Sequence, residues 1–126
     1  MIMHPIHRFL LAAFAAAALT ACRAPAPGQD ELTLRAQQTL SSSFAIVDAF
    51  LAWEYASQPA NPEIRAAADT LRRDFPPAHR LASQLLRAWQ ASRTPDNREA
   101  LDRALKLLAA LEDLAREQLK HQLSPP

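Results

Sequence analysis

Residues 62–92 read PEIRAAADTLRRDFPPAHRLASQLLRAWQAS, and the phase of their apolar residues decides the fold. Ile64, Ala68, Leu71, Phe75, Ala78, Ala82, Leu85 and Trp89 recur at alternating spacings of four and three, which places them on one face of a helix. Pro76 and Pro77 fall in the middle of this run. A proline inside a helix removes an amide donor and crowds the preceding turn, and it pushes the residue before it, here Phe75, toward extended backbone. Two separate helices would have no reason to share a phase across that point. The pattern therefore predicts one helix with a sharp kink at Pro76-Pro77. The alternative is a break, with Asp74 or Phe75 capping a new helix whose first turn holds both prolines.

The flanks of this stretch carry matching punctuation. Gln58-Pro59-Ala60-Asn61-Pro62 precedes it and Ser92-Arg93-Thr94-Pro95-Asp96 follows it. Each reads as a loop, a capping side chain (Asn61, Thr94) and a proline at the first helical position. Acidic Glu63, Asp96 and Glu99 sit near those starts, where the helix dipole favours negative charge. Helices are expected over 31–57, 62–92 and 95–122. The third has the seam Leu101, Ala104, Leu108, Leu111 and Ala115, flanked by Leu105, Leu107, Leu114 and Leu119. Its opposite face holds Asp102, Lys106, Asp113, Glu117 and Lys120. The first has the seam Leu32, Ala36, Thr39, Ser43, Ile46, Phe50 and Trp53, with a second ridge of Leu40, Phe44, Val47, Leu51 and Tyr55.

Composition agrees with an all-α chain. Gly28 is the one glycine in 126 residues, so tight hairpins and phosphate-cradling loops have almost nothing to build them. Links of a few residues imply antiparallel neighbours, giving an all-α, antiparallel up-down-up three-helix bundle about 40 Å long. With Cys22 as the only cysteine, no disulfide can form within the chain.

The N-terminal part differs in character. Residues 1–8 carry Arg8 and two histidines, and residues 9–19, FLLAAFAAAAL, are uncharged and apolar. Eleven residues are too few for a permanent span, which takes about 20, but they match the apolar region of a signal peptide. Leu19-Thr20-Ala21-Cys22 then places a branched apolar residue and two small residues before a lone thiol. This resembles the lipobox of bacterial lipoproteins. The resemblance covers residues 1–22 and implies that Cys22 receives a diacylglyceryl group, that signal peptidase II cuts before it, and that the new amino terminus is acylated, with palmitate among the acyl groups. It divides the chain into a signal peptide (1–21), a lipidated Cys with a Pro-rich tether (22–30) and a helical domain (31–126). The tether RAPAPGQD favours extended polyproline geometry and reaches about 25 Å. In Gram-negative members, Asp after the lipidated Cys signals inner-membrane retention. Arg23 stands there, so the resemblance implies the periplasmic side of the outer membrane.

Charge and side-chain chemistry narrow the function of the helical part. From residue 22 onward, 13 basic residues balance 13 acidic ones, so nucleic acid is not an expected partner. His79 and His121 lie on different helices without a close set of further ligands, so no metal or other cofactor is expected. Ser41-Ser42-Ser43 has no neighbouring base, and the carboxylates have basic partners in helical register, such as Asp102 with Lys106 and Asp69 with Arg73. No enzymatic activity is expected. Two surfaces stand out. Residues 62–93 hold six Arg against three acids, whereas residues 31–57 hold Arg35 against Glu31, Asp48 and Glu54. Complementarity between those helices explains part of the asymmetry, and a surface for anionic headgroups or an acidic partner is the functional alternative. On the first helix, Phe44, Leu51 and Tyr55 flank the seam and form a candidate interface, unless helices two and three cover both ridges. The expectation is a membrane-anchored, non-enzymatic helical interaction module of the cell envelope, acting as a homo-oligomer or on an envelope protein. The alternative is an accessory lipoprotein of a phage or mobile element, acting in lysis or exclusion.

Overall fold

The computed structural model describes residues 30–123. Three helices account for nearly all of them: α1 is Glu31–Ser57, α2 is Pro62–Ala91 and α3 is Pro95–Leu123. Their starts form as the residue types dictate. Asn61 is extended, and its Oδ1 accepts from the Glu63 amide at 2.9 Å, with Pro62 opening the helix. Thr94 Oγ1 accepts from the Asn97 amide at 3.2 Å. The Asn97 side chain reaches back across the turn and donates to the Ser92 carbonyl at 2.7 Å and to Ala88 at 3.3 Å. One residue of α3 thus takes up carbonyls that the end of α2 would otherwise leave open. α1 ends differently. Gln58 takes a positive φ of 43°, and its amide donates to the Glu54 carbonyl at 2.9 Å. Glycine is the usual occupant of that left-handed position; Gln58 adopts it at a cost of about 1 kcal/mol.

α2 runs unbroken through Pro76 and Pro77, so a new helix does not begin at Asp74 or Phe75. Its seam explains the continuity. Leu71 and Ala82 are fully buried, and Phe75 and Ala78 are 6% and 7% exposed, so burial holds the helix on both sides of the prolines. The seam shifts at its C-terminal end, where Leu86 is buried and Leu85 is half-buried.

The packing fixes the direction of each helix. His79 of α2 meets the Leu40 carbonyl of α1, and Arg72 of α2 pairs with Glu54 of α1, so these helices run antiparallel. Leu32 and Ala36 from the start of α1, Leu86 and Trp89 from the end of α2, and Leu101 and Leu105 from the start of α3 form one core cluster. The second cluster fills the remaining length, with Val47, Phe50, Leu71, Phe75, Leu108, Leu111 and Ala115 among its members. The result is the up-down-up three-helix bundle, in which all three helices pack on one another. Phe50, Leu71, Leu101 and Leu108 are all but inaccessible to solvent, each contributing about 1.5–3 kcal/mol through burial.

Candidate interaction surface

The ridge Leu40, Phe44, Val47, Leu51 and Tyr55 does not act as a unit. Val47 is buried, and Leu40 and Leu51 are partly buried and pack against the core. Phe44 remains 55% exposed and Tyr55 77% exposed. The ridge therefore divides between core and surface, neither wholly covered by the other helices nor wholly free. The geometry of α1 accounts for this. At 100° per residue, its core-facing positions centre on Ser43, Val47 and Phe50, and Phe44 and Tyr55 fall on the edge of the opposite half.

That opposite half has a pattern of its own. Ser42, Ala45, Ala49, Ala52 and Ala56 are exposed and recur at spacings of three, four, three and four. Asp48 is the charge on this side, between Phe44 and Tyr55. A four-three repeat of small residues lets two helix backbones approach closely. The sequence showed this signal, but the larger residues of the two apolar ridges mask it, because alanine counts equally toward core and surface.

His79 marks the border between this surface and α2. Its Nε2 lies 3.2 Å from the Leu40 carbonyl oxygen. Its ring sits between Phe44, with centroids 5.9 Å apart, and Phe75, at 5.5 Å. It serves as a polar spacer that supplies a backbone carbonyl with a partner. Ser43, fully buried, donates to the same Leu40 carbonyl at 3.3 Å. The serine run thus contributes one packed hydroxyl and two exposed ones.

Electrostatics at the α1–α2 border partly explain the charge asymmetry between the helices. Glu54, with a side chain 12% exposed, pairs with Arg72, which also lies 3.6 Å from Asp69. The expected pairing of Asp69 with Arg73 is not formed. Arg73 instead grips the adjacent Asp74 through two hydrogen bonds, at 2.8 and 3.2 Å. These bonds hold the Asp74 carboxyl below its usual range and raise the Arg73 guanidinium. The Asp102–Lys106 pair forms at 3.0 Å and is joined by Arg35 of α1 at 2.6 Å. Glu112, almost buried on α3, pairs with Arg116 at 3.0 Å. Nothing in its sequence neighbourhood, between apolar Leu111 and acidic Asp113, singled it out.

Among the described residues, no group of three or more His, Cys, Asp or Glu side chains converges as a metal site. Nor is any helix among them long and apolar enough to cross a membrane. Leu19, Thr20, Ala21 and Cys22 lie outside the described residues. Comparison with protein-family models, with curated proteins and with solved structures returned no match to this chain.

Proposed function

We propose that the chain is a lipid-anchored protein of the bacterial envelope whose helical bundle works without catalysis, as an association module. The observation that carries the association is the exposure of Phe44 at 55% and Tyr55 at 77% on one face of α1. Large exposed aromatic side chains on a small domain mark partner surfaces, and tyrosine and phenylalanine are enriched at the centre of interfaces. The partner that fits this face is a second copy of the chain. Residues 44 and 55 lie symmetrically about the midpoint between Ala49 and Phe50, so an antiparallel pairing of two α1 helices across a two-fold axis at that level sets each Phe44 against the other copy's Tyr55. The small residues between them allow the close approach that such a pairing needs.

The anchor rests on Leu19-Thr20-Ala21-Cys22 and the apolar run before it. Lipidation at Cys22 would confine the bundle to a membrane surface, where a high local concentration makes even a weak contact effective. Arg23 in place of an inner-membrane retention Asp supports the periplasmic side of the outer membrane as its location.

Sedimentation of residues 31–126, which contain every core residue named above, tests the association. The expected result is a dimer whose Phe44→Glu variant is a folded monomer. A parent that stays monomeric at high concentration would overturn self-association. A Phe44→Glu variant that unfolds would show the residue to be part of the core.

A further inference from the structure

α2 holds a second surface that the association of α1 leaves unused. At 100° per residue, Arg65, Arg72, Arg73, Arg80 and Arg87 fall within a sector of about 100° on that helix. All five are exposed, and the sector lies away from the buried seam of Leu71, Ala78 and Ala82. Two are engaged: Arg72 with Glu54 and Asp69, and Arg73 with Asp74. Arg65, Arg80 and Arg87 form no ion pair with a carboxylate among the described residues. Arg65 and Arg87 lie 22 positions apart, about 33 Å along the helix. Asp69 is the only acid within the sector.

We infer that this arginine row is a docking surface for the phosphate groups of an anionic lipid bilayer. Guanidinium groups match phosphate oxygens in a planar, two-pronged geometry. A row confined to one face of one helix presents its guanidiniums to the same side, where a lipid surface can meet several of them at once. The rest of the sector decides between a lipid surface and an acidic protein. Besides the arginines and Asp69 it holds Pro76, Ser83, Gln90 and the helix-end residues Pro62 and Ala91, with no aromatic or large aliphatic side chain. Protein interfaces draw their energy from such anchors at the centre, and this row has none. A charged bilayer needs none, since each basic residue at its surface contributes on its own. The spacing also suits the role. Adjacent free guanidiniums lie two turns or more apart, about a Debye length at physiological salt, so they repel one another little before binding. This attraction stands whether or not Cys22 carries lipid.

The test uses the full chain with vesicles of phosphatidylcholine alone and of phosphatidylcholine mixed with phosphatidylglycerol. The neutral vesicles give the baseline from the apolar N-terminal run, which every variant shares. The parent is expected to prefer the anionic vesicles, and the preference should fall as salt rises. Arg65→Gln, Arg80→Gln and Arg87→Gln together should reduce that preference about a hundredfold, with the helical circular dichroism unchanged. A charge-matched triple on α3, Arg98→Gln, Arg103→Gln and Lys120→Gln, should keep most of it. So should Arg65→Lys, Arg80→Lys and Arg87→Lys together, which retain the charge. A parent without preference for the anionic vesicles overturns the inference. So does an α3 triple that loses as much as the α2 triple, because net charge alone would then explain the binding.

Discussion

Phe50 and Phe44 stand on the same helix less than two turns apart, and their truncation should separate the core from the surface of α1. Phe50 is fully buried and packs in the main cluster, with the Trp53 ring 6.2 Å away. Phe50→Ala deletes a ring from a site with no solvent on any side, a change that costs about 3–5 kcal/mol. Phe44 keeps 55% of its surface exposed. Full burial of such a side chain contributes about 1.5–3 kcal/mol, so less than half of it leaves about 1 kcal/mol for Phe44→Ala. In a domain of this size, 1 kcal/mol moves the melting temperature by about 4–8 °C. Thermal unfolding followed by circular dichroism should therefore show a drop of that order for Phe44→Ala and one several times larger for Phe50→Ala. The measurement belongs at low protein concentration, because a dimer adds a concentration-dependent term. Equal losses for the two variants would refute the division of α1 into a covered and an open half, and with it the surface on which association rests.

Three further outcomes follow from the same reading. Cys22→Ser should abolish lipidation and leave the precursor uncleaved in intact-mass analysis of the membrane fraction; a parent recovered unlipidated and cut elsewhere would end the anchor proposal. Residues 31–126 alone should be strongly helical, and Leu108→Asp should unfold them, since Leu108 is fully buried and an unpaired charge there costs several kcal/mol; a folded Leu108→Asp variant would contradict the core. The hydrogen bond from Lys106, aided by Arg35, holds the Asp102 carboxyl below its usual value of 3.8, and Arg73 does the same for Asp74. A lowered folded-state value gives stability that is present above pH 3.8 and lost as pH falls through the depressed values, so the urea midpoint should fall on strong acidification and a rise would count against these pairs.

The legible parts of this fold were those that a short stretch of chain decides by itself. Asn61-Pro62 and Thr94-Pro95 announce helix starts because capping and proline geometry involve only neighbouring residues. The sequence bounds of 31–57, 62–92 and 95–122 differ from the observed helices by one residue at two C-terminal ends. Choices that depend on a second helix were less legible. Leu85 and Leu86 both suit the end of the α2 seam, and the cluster with Leu32 and Leu101 selects Leu86. Asp69 has Arg72 and Arg73 at helical spacings of three and four, and the hold of Asp74 on Arg73 leaves it Arg72. Asn97 gave no signal, because its role is to reach back across a turn to carbonyls of the preceding helix. On the surface, Phe44 and Tyr55 could be named from their offset to the seam, while the alanine row beside them needed the bundle to show which side of α1 faces outward.

The prolines of α2 pose the remaining energetic question. Pro76 and Pro77 have no amide hydrogens, so the carbonyls of Arg72 and Arg73 lack their usual partners four residues on, and this is where a helix is expected to bend. In an isolated helix each proline costs about 3 kcal/mol relative to alanine. Here both are exposed, and the burial of Leu71, Phe75, Ala78 and Ala82 on either side keeps the helix whole. Their presence would be essential if the bend aligned two seams that were otherwise out of phase. The seam, however, alternates fours and threes without interruption from Ile64 to Ala82, so no phase correction is required at the prolines. Pro76→Ala with Pro77→Ala should then stabilise the bundle. The restored hydrogen bonds are offset by about 0.4–1 kcal/mol per site from the greater freedom of the unfolded chain. Allowing for relaxation already present around the prolines, a net gain of about 2 kcal/mol is expected, raising the melting temperature by about 8–16 °C. A lower melting temperature in the double variant would mean that the shape imposed by the prolines seats Phe75 and Ala78 in the core, and that the continuous phase of the seam is not by itself enough to hold α2 in place.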